Sequence, residues 1–201
     1  MRKKIEISEL KNYDKAFFTL GDLAKIFNIK VGSLKVALSR WARSGKILRI
    51  RKNVYQLPDK VYDLKKIAWQ LYPPCYLSFE SALSGYGILS QIPYIITFAT
   101  TNKSKKIALG REEIEFRQIK KDLFFGYKME NGLFAALPEK ALADQIYFVS
   151  RGLANLNFKE LDLSDVSLGK FKSFIKLYPE PAQILAKNIE PYFGKTAITI
   201  K

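Results

Sequence analysis

The amino-acid sequence predicts an α+β fold in two parts: an N-terminal module of short helices and a hairpin, then a mixed α+β C-terminal domain with an antiparallel sheet and flanking helices. Three observations lead there. Apolar residues recur at helical spacing from Leu20 to Trp41 and then give way to two short alternating runs. The prolines Pro73 and Pro74 interrupt the chain. Beyond them, short runs rich in branched and aromatic residues precede a return to helical spacing at Pro138.

The first helix begins at Leu20. Thr19 is a good N-cap with Asp22 three residues on, and Phe18 and Leu23 take the staple positions that fix how the chain enters. Leu20, Leu23, Ala24 and Phe27 form one apolar face, and Asn28 can adopt the left-handed conformation that ends the helix. After the turn Asn28–Val31, a second helix is expected from about Gly32 to Ser44, poorly capped at its start, with Leu34, Ala37, Leu38 and Trp41 buried and Gly45 as its stop. Ile47–Ile50 and Val54–Leu57 alternate as strands around the tight basic turn Arg51-Lys52-Asn53, where Asn53 suits a positive φ. Helix, turn, helix and hairpin in this order make an N-terminal winged helix-turn-helix.

Charge marks one face of it. The 201 residues carry 34 Lys/Arg against 19 Asp/Glu, a net charge of +15, which points to a polyanionic partner. Residues 1–60 hold 15 of those bases and 5 of the acids. From Lys25 to Lys52 there are nine basic residues and no acidic one. A solvated face of a small helical bundle, the alternative reading, mixes both signs. The residues expected to meet double-stranded DNA are Lys30, Ser33, Lys35, Ser39, Arg40 and Arg43 on the second helix and Arg49, Arg51, Lys52 and Asn53 on the hairpin. Small and basic side chains there let a helix approach a groove and grip phosphates or base edges.

Three segments are expected: residues 1–60 as the DNA-binding domain, 61–74 as a linker helix and proline boundary, and 75–201 as the C-terminal domain. The linker helix runs from about Val61 to Leu71. In the C-terminal domain, Ser78–Gly87 reads as a Ser-capped helix with a glycine stop. Strand candidates are Ile95–Ala99, Lys106–Leu109, Ile114–Ile119 and Leu133–Leu137, and helices follow at Glu139–Phe148, Leu168–Tyr178 and Pro181–Ile189. The polar run Thr100–Lys106 is either a solvated turn or, through Lys103, Lys105 and Lys106, a second anionic contact.

Composition narrows the chemistry. There is no histidine, and Cys75 is the single cysteine. Cys/His zinc sites, His-dependent triads and an internal disulfide are therefore excluded, and Cys75 reads as a buried structural thiol. The basic start Met1–Lys4 lacks the apolar stretch of a signal peptide, and no run is long and apolar enough to span a membrane, so a cytoplasmic protein is expected. A metal nuclease would draw on Glu80, Glu112, Glu113, Glu115, Glu139 and Asp144, but none has persuasive spacing. Glu115-Phe116-Arg117 ends like a nuclease E-x-K pattern with arginine in the lysine position. No enzyme, metal or cofactor is expected.

From Phe18 to about Tyr178 the chain resembles the AbiEi family of antitoxins and transcriptional regulators of type IV toxin-antitoxin systems. The resemblance rests on the helix-turn-helix followed by Arg49–Tyr55, with Asn53 where such proteins commonly have glycine. In the C-terminal half it rests on Tyr76–Leu83 with Tyr86-Gly87, on Ala99-Thr100-Thr101, on Ile114–Arg117 and on Ala136–Asp144. It implies an autorepressor that binds inverted repeats in its own operon, and an antitoxin domain that opposes a nucleotidyltransferase-like toxin without a stable complex. The competing functions are a plain regulator whose second domain senses a ligand or dimerises, and a metal-dependent nuclease.

Overall fold

The computed structural model describes residues 6–13, 15–59 and 63–195. The basic Met1–Lys4 and the expected helix start at Val61 lie outside the described residues. The fold is mixed α+β, with a three-stranded antiparallel sheet near the N-terminus and a six-stranded mixed sheet after it. The chain divides into two compact units, residues 1–67 with 108–111, and residues 68–107 with 112–201.

In the first unit a 3₁₀ helix (Ile7–Asn12) precedes β1 (Phe18–Thr19), α1 (Leu20–Phe27), α2 (Val31–Arg43), β2 (Leu48–Arg51) and β3 (Val54–Gln56). β3 lies between β1 and β2, with Phe18 opposite Tyr55 and Thr19 opposite Val54. β1 was not expected: two residues are too few to show a period, and Phe18 and Thr19 act at once as strand and as helix entrance. The capping box forms as the sequence requires. Thr19 Oγ1 accepts from the Asp22 N–H at 3.1 Å, and Asp22 Oδ2 accepts from the Thr19 N–H at 2.9 Å. Leu10, Phe18, Leu23, Phe27, Leu34, Leu38 and Ile47 pack into one core.

Burial opposes the Asp22 charge, but the Thr19 backbone and hydroxyl and the Lys15 ammonium outweigh it and hold the carboxyl below its ordinary value of 3.8. A carboxylate held low stabilises the fold above its unfolded pKa, and that stabilisation is lost as pH falls through the folded value. Thr19→Ala is therefore expected to cost about 1 kcal/mol at neutral pH. The gap from the parent protein should narrow as pH drops below 3.8. Urea unfolding at pH 7 and pH 3 measures both.

In the second unit α3 (Leu64–Leu71), which begins in the first, leads to β4 (Cys75–Leu77) and α4 (Phe79–Gly85). Then come β5 (Ile95–Thr100), β6 (Lys105–Leu109), β7 (Glu112–Gln118), β8 (Tyr127–Glu130), β9 (Leu133–Ala136), α5 (Pro138–Ser150), α6 (Leu168–Ile175) and α7 (Glu180–Lys187). The strands lie in the order β6-β7-β5-β4-β9-β8. The sheet is mixed, not antiparallel: β5 runs parallel to β7 and β4 parallel to β9. The reason is in β5, which lies between β4 and β7 and is rich in branched and aromatic residues on both faces, as a central strand is.

The expected Ser78 cap is also corrected. Its side chain makes no capping bond to α4; the hydroxyl donates instead to Asp144 Oδ2 at 2.8 Å. The next residue, Phe79, is fully buried with φ of 55°, a strained backbone for an aromatic residue that its packing against Phe148 at 4.7 Å holds in place. α5 is the spine of this unit, buried from Glu139 to Phe148 and packed by α4, α6 and α7.

Candidate nucleic-acid interface

α1 stops because Asn28 turns left-handed (φ 50°, ψ 51°), and the Ile29 N–H caps the helix on the Ala24 carbonyl at 3.2 Å. Only Ile29 and Lys30 then separate Asn28 from α2. Leu34, Ala37 and Leu38 bury one stripe of α2, and Trp41 rests half-buried with its ring 5.8 Å from Phe27. That fixes the opposite stripe: Ser33, Lys35, Val36, Ser39, Arg40 and Arg43 are all exposed. Val36 is 60% exposed, an apolar side chain in the middle of a solvent-facing helix surface. The N-terminal amides of α2 receive no side-chain cap from Lys30, so they stay open to an anion. A side chain at Gly32 would meet nothing within 4 Å, so packing inside the chain does not require glycine there.

The hairpin is anchored against α1. Asn53 has φ of 64°, and its carbonyl accepts from the Leu20 N–H at 2.9 Å, satisfying one of the free donors at the start of α1. Arg49 stands opposite Tyr55 and Arg51 opposite Val54, with a bulge between the two arginines. A bulge re-aims the side chains on either side of it, and these two separate: Arg49 is exposed and Arg51 is half-buried.

An open groove of about 550 Å³ runs between α2 and the hairpin. Lys35, Ser39 and Arg43, spaced four apart, form one wall, and Arg49, Lys52 and Asn53 the other. Its floor includes Leu38, Ala42 and Tyr55, which the sequence placed in the core or left unassigned. Tyr55 became visible only through the strand register, which sets it opposite Arg49. Lys30, Ser33, Arg40 and Arg51 lie outside the groove; all but Arg51 are exposed. None of the nine basic residues from Lys25 to Lys52 is ion-paired with another described residue. Among the described residues no ion pair compensates this positive charge, and like charges this close raise the potential along the groove.

The second unit arranges its charges differently. Lys103, Lys105 and Lys106 are exposed, but Lys106 lies 3.6 Å from both Glu113 and Glu115, and the Lys105 ammonium sits 5.0 Å over the Tyr72 ring. The loop between β5 and β6 is tied down, with Tyr72 donating to the Lys103 carbonyl at 2.9 Å and Asn102 to the Pro73 carbonyl at 3.0 Å. Glu115 and Glu80 are brought together by Arg117, which donates to Glu115 at 2.8 Å and to both Glu80 oxygens at 3.1 and 2.8 Å. Arginine in the E-x-K position thus neutralises two carboxylates. Glu112 and Glu113 are exposed, and Glu139 is buried with Lys170 at 3.4 Å. Among the described residues no group of His, Cys, Asp or Glu side chains could hold a metal ion. No helix among them is long and apolar enough to cross a membrane.

Asp144 is the centre of a buried polar network that the sequence did not reveal. It pairs with Lys140 one turn earlier on α5, and both side chains are fully buried. Asp144 also accepts from Tyr76 at 3.0 Å, Ser78 at 2.8 Å and Tyr178 at 2.6 Å. The Lys140 ammonium lies 5.4, 4.9 and 5.2 Å from the ring centres of Tyr76, Phe125 and Tyr178. The i, i+4 spacing of Lys140 and Asp144 was the available signal, but on sequence alone it reads as a surface pair. Cys75 is buried as expected, its thiol donating to the Trp69 carbonyl at 3.6 Å and its pKa pushed up to about 12 by burial. No protein-family model matches the chain, and no curated protein matches it.

Proposed function

We propose that residues 18–57 are a winged helix-turn-helix that holds double-stranded DNA, and that the chain is the antitoxin and autorepressor of a type IV toxin-antitoxin operon. The observation that carries the first half is the groove between α2 and the hairpin, walled by Lys35, Arg43, Arg49 and Lys52 with no acid in the segment that builds it. α2 enters the major groove with Ser33, Val36, Ser39 and Arg40 toward the base edges, where Val36 suits a thymine methyl. The hairpin straddles the adjoining backbone, and Lys30 and Arg51 add phosphate contacts at the margins. The operator is an inverted repeat read by two copies. DNA of this kind places the protein in the cytoplasm.

The antitoxin half rests on the resemblance, whose stretches meet in space. Tyr76 and Ser78 of one and Lys140 and Asp144 of another join in a single buried network, so these stretches specify one fold together. The opposed toxin is nucleotidyltransferase-like, and the opposition needs no stable complex. A nuclease is disfavoured because Glu80 and Glu115 are neutralised by Arg117 and Asp144 is inaccessible. A plain regulator with a ligand-sensing domain has one observation in its favour, the aromatic cavity described below.

The two halves separate experimentally in the full chain. A reporter driven by the protein's own promoter is expected to be repressed by the parent protein and released by Arg43→Ala/Arg49→Ala. The same double variant, co-expressed with the nucleotidyltransferase encoded beside it, is expected to rescue growth as the parent does. Repression without any rescue by the parent protein would leave a regulator and remove the antitoxin.

A further inference from the structure

Within the second unit lies a solvent-open cavity of about 300 Å³, at the small end of the range that ligand sites occupy (about 300–1,000 Å³). Trp69, Phe124, Tyr127 and Phe134 wall it, and all four rings are only half-buried. They brace one another edge to face: Trp69 and Phe134 at 5.6 Å and 83°, Tyr127 and Phe134 at 5.3 Å and 69°, Phe124 and Tyr127 at 5.1 Å and 61°. Such contacts fix ring orientation, so the walls are set before anything enters. Phe124, Tyr127 and Phe134 pack against the core, Tyr127 stacking on buried Tyr76 at 4.7 Å, and each still leaves ring surface, as Trp69 does, around one open space.

The chemistry of the lining selects its guest. No charged side chain lines the cavity. The Cys75 thiol beneath it stays protonated, since burial raises its pKa to about 12. An anion would find no counter-charge in the walls. Aromatic faces attract cations, but no carboxylate backs them here and the chain's net charge of +15 repels one. Besides Cys75, the lining residues that carry a polar side-chain group are Gln70, which is exposed, Tyr127 and Trp69. We propose that this cavity binds a small, neutral, flat aromatic molecule of one or two fused rings, held against the aromatic walls with a polar edge toward Gln70. This site stands independently of DNA binding.

Indole serves as the probe, and the full-length protein carries its own control. Its two tryptophans, Trp41 and Trp69, lie in different units, and each gives one side-chain N–H signal in a ¹⁵N-resolved spectrum. Titrated indole is expected to shift the Trp69 signal saturably, with half-saturation at about 0.1–1 mM for so small a ligand. The Trp41 signal should stay in place. Gln70→Phe, at an exposed position of the kind where substitutions rarely change stability by more than about 0.5 kcal/mol, is expected to raise the half-saturation at least tenfold while both signals remain dispersed. An unmoved Trp69 signal, equal shifts of both tryptophans, or an unchanged titration in Gln70→Phe would overturn the site. Loss of promoter binding would remove the DNA reading and leave this titration unaffected.

Discussion

Asp144→Ala is expected to destabilise the second unit by about 3–5 kcal/mol, the cost of leaving a buried charge without its partner. The substitution strands the Lys140 ammonium, at 0% exposure, with the Tyr178 hydroxyl and three ring faces as its remaining partners. It also orphans the Tyr76 and Ser78 hydroxyls, which donate to Asp144 from β4 and the start of α4. Lys140→Met should cost less. Asp144 then keeps three hydroxyl donors, and a methionine of similar length fills the space beside Gly126, where any added side-chain carbon would come within 3.1 Å of the Lys140 methylenes. Urea unfolding followed through Trp69, whose ring packs on Phe134, reports this unit directly. Equal costs for the two variants would mean that the ion pair, not the hydroxyl cage, carries the stability.

The same network gives a pH signature. Burial pulls the Lys140 pKa below its ordinary 10.5, although Asp144 works to raise it. The unfolded chain therefore binds that proton more tightly, and between the lowered value and 10.5 this group makes the fold more stable as pH rises. Tyr76 and Tyr178 are held well above 10 by burial first and by Asp144 second. Above pH 10 the unfolded chain loses phenolic protons that the folded chain keeps, and stability falls. In Lys140→Met the alkaline gain attributable to the lysine should disappear while the loss above pH 10 persists.

Arg43→Ala/Arg49→Ala is expected to weaken promoter binding about a thousandfold at 0.1 M salt, the scale of four lost phosphate contacts, two in each of two copies, at roughly 1 kcal/mol each. The two arginines face each other across the groove from α2 and β2, and neither is ion-paired with a described residue. Both are exposed, so the variant should unfold at the parent's temperature. Lys25→Ala/Lys46→Ala removes the same charge from exposed positions outside the groove and should cost only a few-fold. A change that depended on net charge alone would make the two pairs equal.

What could be read from the sequence was what local chemistry decides. The bounds Leu20–Phe27 of α1 follow from Thr19, Asp22 and Asn28, and each does what its side chain predicts. Asn53 adopts a positive φ where the turn needs it. The basic face of α2 follows once its apolar stripe is known. The two- and three-residue strands β1 and β4 were not legible because their existence depends on partners: β1 is made by pairing with β3, and β4 by lying between β5 and β9. β8 could have been found. Asn131-Gly132, with φ of 50° and 83°, is the strongest short hairpin signal there is, and it stood between Tyr127–Glu130 and Leu133–Ala136. The parallel pairing of β5 with β7 was not legible, because a short strand rich in branched and aromatic residues fits parallel and antiparallel neighbours alike. The Asp144 network was beyond local reading because Lys and Asp are rarely fully buried; only the packing of α4, α6 and α7 around α5 takes them out of water.

The groove between α2 and the hairpin is proposed to hold duplex DNA by its phosphates. Fluorescence anisotropy of the full-length protein with its own promoter fragment, repeated across salt concentrations, tests it most directly. With Lys35, Arg43, Arg49 and Lys52 in the groove and Lys30 and Arg51 at its margins engaged in each of two copies, the slope of log K against log salt is expected at about −11, about 0.9 per neutralised phosphate. Arg43→Ala/Arg49→Ala should flatten it by about a third. A flat salt dependence, or a steep one that the double variant leaves unchanged, would mean that the groove does not hold DNA by its phosphates.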